Sequence, residues 1–103
     1  MSREELPSRR QQSITSVEHA GQFYTIAVGY HDVEMTRVGE VFVDCHKRSS
    51  SVDTAARDTA ILISLGIQHG VPIETMRNAV SRDENGDPAG LAGVVLDHIA
   101  GAV

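Results

Sequence analysis

The sequence predicts a two-layer α+β domain: a three-stranded antiparallel meander, then one long and two shorter helices packed on one face of the sheet. Three observations carry this expectation. Apolar and polar residues alternate with a period of two in the first half and recur every three to four residues in the second, the change falling at Ser49-Ser50-Ser51. The 103 residues are 41% hydrophobic and 22% charged, which suits one domain with one core and excludes disordered and fibrous classes. The aromatic residues are Phe23, Tyr24, Tyr30 and Phe42, with no Trp, so aliphatic side chains must fill that core.

Residues 1–12 are polar, contain Pro7 and mix Arg3, Arg9 and Arg10 with Glu4 and Glu5; they read as a flexible arm ahead of a single domain over residues 13–103. From Ser13 to His19 polar and β-branched residues predict a strand. Gly21 and Gln22 then form a Gly-X pair suited to a type II′ hairpin turn. Phe23 to His31 is the clearest strand and is expected at the centre, with Tyr24, Ile26, Val28 and Tyr30 on one face. After a loop from Asp32 to Thr36, a third strand runs from Arg37 to His46. It sets Val41, Val43 and Cys45 against Val38, Glu40, Phe42 and Asp44.

Ser50 and Asp53 resemble an acidic capping box, which starts a helix running to about His69 and ending at Gly70. At 100° per residue, Val52, Ala55, Ala56, Thr59, Ala60, Leu62, Ile63, Gly66 and Ile67 form its broad apolar face. The opposite arc holds Asp53, Thr54, Arg57, Asp58, Ser64, Gln68 and His69, with Ile61 and Leu65 as large apolar intruders. Pro72 opens a second helix at a first-turn position, with Ile73, Met76 and Val80 as its stripe. Arg82 to Gly90 is rich in turn residues, and Leu91 to Ala100 predicts the last helix.

The net charge of −5 argues against a general affinity for nucleic acid, and no apolar stretch approaches the ~20 residues of a membrane span. The polar start does not read as a secretory signal, so a soluble cytoplasmic protein is expected. The histidines, His19, His31, His46, His69 and His98, show no metal-ligand spacing, and no metal or cofactor is expected. Cys45 falls on an apolar strand face and reads as a small core residue. Lys47, Arg48, Ser49, Ser50 and Ser51 gather two cations and three hydroxyls at a helix start, a candidate anion or nucleotide-phosphate site, although no P-loop motif is present. No acid–base–nucleophile set stands out, so no catalytic residue is assigned.

The order of landmarks resembles a known family. Leu6-Pro7-Ser8-Arg9-Arg10-Gln11-Gln12-Ser13-Ile14-Thr15 is similar to the "LPxxRxSxT" opening of the TSCPD domain, the small C-terminal domain of adenosylcobalamin (vitamin B12)-dependent ribonucleotide reductases, which also occurs free-standing. Tyr24-Thr25-Ile26-Ala27-Val28-Gly29-Tyr30 and Gly39-Glu40-Val41-Phe42-Val43 continue the match. Its most specific run is Gln68-His69-Gly70-Val71-Pro72-Ile73-Glu74-Thr75, which joins a helix end to a helix start. The likeness covers about residues 6–90. The Cys-Pro that names the domain is absent, Arg48-Ser49 replaces a Gly-Ser pair, and a helix follows Asp87-Pro88-Ala89-Gly90 where the reductases carry a metal-binding cysteine tail. Metal and thiol functions are therefore not carried over.

The resemblance implies an accessory or regulatory relative in deoxyribonucleotide metabolism, without independent ribonucleoside-diphosphate reductase activity, since nothing in so short a chain could house the radical barrel. Ile61 and Leu65 would leave an apolar patch on the long helix, so a homodimer through that helix is expected, or association with a ribonucleotide reductase subunit. The alternative is a nucleotide- or phosphate-binding sensor built on the Lys47–Arg48 basic turn.

Overall fold

The computed structural model describes Arg3, Leu6 and residues 11–47 and 50–101. Three strands, β1 (Gln12–His19), β2 (Gln22–Tyr30) and β3 (Val38–Cys45), pair antiparallel in the order β1-β2-β3, as the alternation predicts. Helices α1 (Ser51–Gln68), α2 (Ile73–Ala79) and α3 (Leu91–Gly101) follow. Tyr24, Ile26, Val28 and Tyr30 of β2 and Val41, Val43 and Cys45 of β3 point into one core with Ala56, Ala60, Ile63, Val95, Leu96 and Ile99. The other face of the sheet carries Ile14, Phe23 and Phe42, all exposed.

The β1–β2 turn differs from the expected Gly21-Gln22 pair. His19 faces Gln22, which leaves Ala20 and Gly21 as the turn, with φ of 50° and 80°. Positive φ at both positions makes a type I′ turn, whose twist matches the strands; Gly21 supplies the second position without strain. Between β2 and β3 the Asp32 carboxylate accepts hydrogen bonds from the backbone N–H groups of Thr36 and Arg37 and from the Thr36 hydroxyl. These bonds hold its pKa below the ordinary carboxylate value.

A bulge corrects the expected faces of β3. Gly29 pairs with Glu40 but Tyr30 pairs with Val38, so Gly39 is an extra residue and Val38 turns into the core instead of lying with Phe42. A Cβ at Gly39 would meet the end of the Leu6 side chain and crowd the His31 ring, so one of them would have to shift.

Helix α1 begins as predicted, the Ser50 hydroxyl accepting from the Asp53 N–H at 3.1 Å. It ends in a Schellman arrangement: Gly70, at φ 87°, donates to the Ile67 carbonyl, and Val71 donates to that of Gly66. Its faces differ from the expectation. Leu62, assigned to the core side, is 70% exposed, whereas Asp53 and Gln68 of the supposed solvated arc are buried. That arc lies against the outer edge of β3. The Cys45 N–H donates to Asp53 Oδ1 at 3.0 Å; the Val41 N–H donates to Ser64 Oγ at 2.9 Å, and that hydroxyl donates back to the Val41 carbonyl at 3.0 Å; Gln68 Nε2 donates to the Gly39 carbonyl at 3.1 Å. Edge groups that would otherwise have to face water are thus taken up by helix side chains.

Pro72 stands as N-cap of α2, one position before the first helical residue where it was expected. Ile73, Met76 and Val80 pack on the core as predicted. The loop after α2 is ordered by Asp83, whose carboxylate accepts from the N–H groups of Asn85 and Asp87. Arg82 then grips Asp97 of α3 with both terminal nitrogens, at 2.7 and 3.0 Å, and Arg77 adds a third bond at 2.9 Å. Those bonds, led by Arg82, hold the Asp97 carboxyl at about 2 against an ordinary 3.8, despite the opposing effect of burial.

Two outcomes follow for stability. Ser64→Ala strands both Val41 backbone groups in a partly covered seam and is expected to cost about 1–3 kcal/mol in urea unfolding at unchanged slope. A carboxyl depressed on folding stabilises above its unfolded pKa, and that contribution is lost as pH falls through the folded value. Wild-type stability therefore falls between pH 3.8 and about 2, and Asp97→Asn, less stable by about 1 kcal/mol at neutral pH, should show a flatter acid limb.

Candidate functional site

Among the described residues a groove of about 720 Å³ runs along the seam between β3 and α1. Its apolar wall combines Phe42 and Val43 of β3 with Ala60, Ile61 and Leu65 of α1. Ile61 is 56% exposed and Leu65 36%, so α2 and α3 leave the two residues that broke the polar arc of the helix accessible. Antiparallel pairing explains the floor. Val41 and Cys45 turn their backbone groups away from β2 to meet Ser64 and Asp53, and by the same alternation the N–H and C=O of Val43, midway between them, face the groove.

Charged groups rim this apolar strip. Arg57 bridges the Asp53 and Asp44 carboxylates, each at 3.2 Å. At the far end Arg3 lines the groove and its guanidinium Nε donates to Gln68 Oε1. The part of the expected N-terminal arm that is described, Arg3 and Leu6, thus lies on the α1–β3 side of the sheet. A strip rimmed by Arg57 with its two carboxylates and by Arg3, and carrying Val43 peptide groups that meet no partner among the described residues, can bind apolar side chains of a partner and fix their register.

Of the predicted anion stretch, Arg48 and Ser49 lie outside the described residues. The Ser50 hydroxyl is committed to capping, accepting from Asp53 and donating to the Lys47 carbonyl at 2.7 Å. Ser51 is the first residue of α1. Asp53 places its own carboxylate in the first turn, where it complements the helix dipole an anion would otherwise meet.

Cys45 is fully buried, as its strand face predicts, with its thiol directed to Gln22 Oε1 at 3.8 Å. His46 stacks on Phe23 at 6.3 Å between ring centres and shares a hydrogen bond with Thr25 Oγ1 at 2.9 Å. No group of three or more His, Cys, Asp or Glu residues suited to a metal occurs among the described residues. No helix there is long and apolar enough to cross a membrane.

Sequence reasoning missed Asp53, Ser64 and Gln68 as a working set. The signal was present: they stand eleven and four residues apart, which at 100° per residue keeps them within about 60° on one helical line. A polar stripe reads as solvated unless something is known to face it.

Comparison with known proteins supplies the remaining finding. The chain is 35% identical over 96 residues to the vitamin B12-dependent ribonucleotide reductase of Agrobacterium fabrum (strain C58), and 33% identical over 72 residues to the enzyme of that name from Bradyrhizobium diazoefficiens. It is a partial homologue of these reductases. The alignments take in 86% and 70% of this chain but only 7% and 6% of the relatives, so the kinship is to a small segment of a much larger protein. No family model matches the chain, and no solved structure does.

Proposed function

We propose that this chain is a non-catalytic accessory module of the B12-dependent ribonucleotide reductase system, a TSCPD-like domain that acts in the cytoplasm by association. The observation that carries the reading is the groove: Phe42, Ile61 and Leu65 stay accessible beside a strand edge that is otherwise sealed. Apolar patches that a fold leaves open beside ordered polar groups are the usual mark of a docking surface. The kinship to a reductase segment supports a reductase as the occupant. The match covers 7% of the length of the Agrobacterium fabrum enzyme, and this reading leaves nucleotide reduction itself to the larger protein.

The alternative, a phosphate or nucleotide sensor at Lys47, Arg48, Ser49, Ser50 and Ser51, has less behind it. The Ser50 hydroxyl is already engaged, and Asp53 adds a negative charge to the same first turn.

Calorimetric titration into the Agrobacterium fabrum reductase, with and without the segment that this chain matches, tests the association. Binding is expected to the trimmed enzyme, and Ile61→Glu should weaken it tenfold or more, or about 1.4 kcal/mol. Equal affinity for wild type and Ile61→Glu would remove the groove from the account, and no binding at all would remove the reductase.

A further inference from the structure

The two edges of the sheet are treated in opposite ways. The β3 edge is closed by Asp53, Ser64 and Gln68 of α1, with Leu6 seated over the bulge at Gly39. Among the described residues the β1 edge has no such cover. Thr25 and Ala27 of β2 face β3 and Tyr24, Ile26 and Val28 face β1, where their partners are Val17, Thr15 and Ser13. By alternation the N–H and C=O groups of Gln12, Ile14, Ser16 and Glu18 therefore point outward. No hydrogen bond among the described residues engages these backbone groups. Exposed edges are ordinarily blunted by Lys, Pro, a bulge or shortness. β1 has no Lys and no Pro, pairs with β2 over all its eight residues without a register shift, and presents Ile14 at 69% exposure.

We propose that β1 pairs antiparallel with β1 of a second copy of this chain, joining two three-stranded sheets into one of six strands. The inference rests on the module acting by association, and it assigns the second copy to β1 so that the α1–β3 groove stays open for a different partner. This relocates the homodimer expected from Ile61 and Leu65.

Self-complementarity selects the occupant. On a twofold axis through Thr15, Ile14 lies opposite Ser16 of the second copy and Gln12 opposite its Glu18. Every outward backbone group of the four residues then gains a partner, and no like charges face each other. Glu18 of each copy comes to the end at which the other chain, carrying Arg9 and Arg10 in its sequence, enters the strand. A parallel pairing would set the two Glu18 carboxylates side by side. On the outer face, the row formed by Ile14, Ala27 and Phe42 would meet Ser16 and Thr25 of the second copy, with the two Ile14 side chains diagonal across the axis. The pairing also limits further strand addition, because each end of the six-stranded sheet is a β3 edge whose groups at Gly39, Val41 and Cys45 are engaged by α1.

Sedimentation velocity combined with amide hydrogen exchange tests this. Wild type should sediment as a dimer at micromolar concentration, with the Ile14, Ser16 and Glu18 amides exchanging at least about tenfold more slowly than in dilute monomer. Ser16→Pro removes an N–H that faces away from β2, so it should keep the native circular dichroism and sediment as monomer. If that variant fails to fold, Ile14→Lys, which places like charges near the axis, takes its place with the same expectation. Ile61→Glu should leave the dimer intact, which separates this interface from the groove. A monomer at all concentrations overturns the proposal, as does a dimer that survives both strand variants or leaves those three amides unprotected.

Discussion

The arrangement depends on a seam in which helix side chains complete the hydrogen bonding of a strand edge. An edge strand offers peptide groups that must be met by water, by another strand or by side chains. Here Ser64 both donates to and accepts from Val41, Asp53 accepts from Cys45, and Gln68 donates to Gly39. These contacts fix α1 along the strand, and that register puts Ala56, Ala60 and Ile63 into the core while Ile61 and Leu65 border the groove. The groove is the stretch of seam beside Val43, where Ala60 and Ile61 stand between Asp53 and Ser64.

Most of the architecture could be read from local chemistry. Period-two alternation through Tyr24, Ile26, Val28 and Tyr30 specified the central strand because those residues are buried together. The ends of α1 were legible because a serine cap and a left-handed glycine are determined within a few residues. The errors lie where the answer depends on something distant in sequence. Leu62 was assigned to the core from helical geometry alone, yet nothing in α2 or α3 covers it. Val38 changed face because of one extra residue at Gly39, and that bulge is accommodated by Leu6 and His31. The hairpin turn slipped by one residue because Ala20 accepts a left-handed backbone that its side chain disfavours.

The candidate site was half legible. Ile61 and Leu65 could be singled out as misplaced apolar residues on a polar arc, and they do remain open to solvent. Phe42 and Val43 could not be joined to them, because no local pattern shows that α1 lies along the β3 edge of the sheet. The serine-rich helix start looked like an anion site for a sound reason, the free N–H groups of a first turn. Asp53, which completes the cap, also brings the negative charge that weakens that reading.

The account's central claim is that the chain works by docking through the α1–β3 groove. Its most direct test is an amide chemical-shift map of the isotope-labelled chain titrated with unlabelled trimmed reductase. The account predicts perturbations centred on Phe42, Val43, Ile61 and Leu65, with α2 and α3 unmoved. Perturbations confined to α3 or to the loop around Asp83, with the groove silent at saturation, would contradict it.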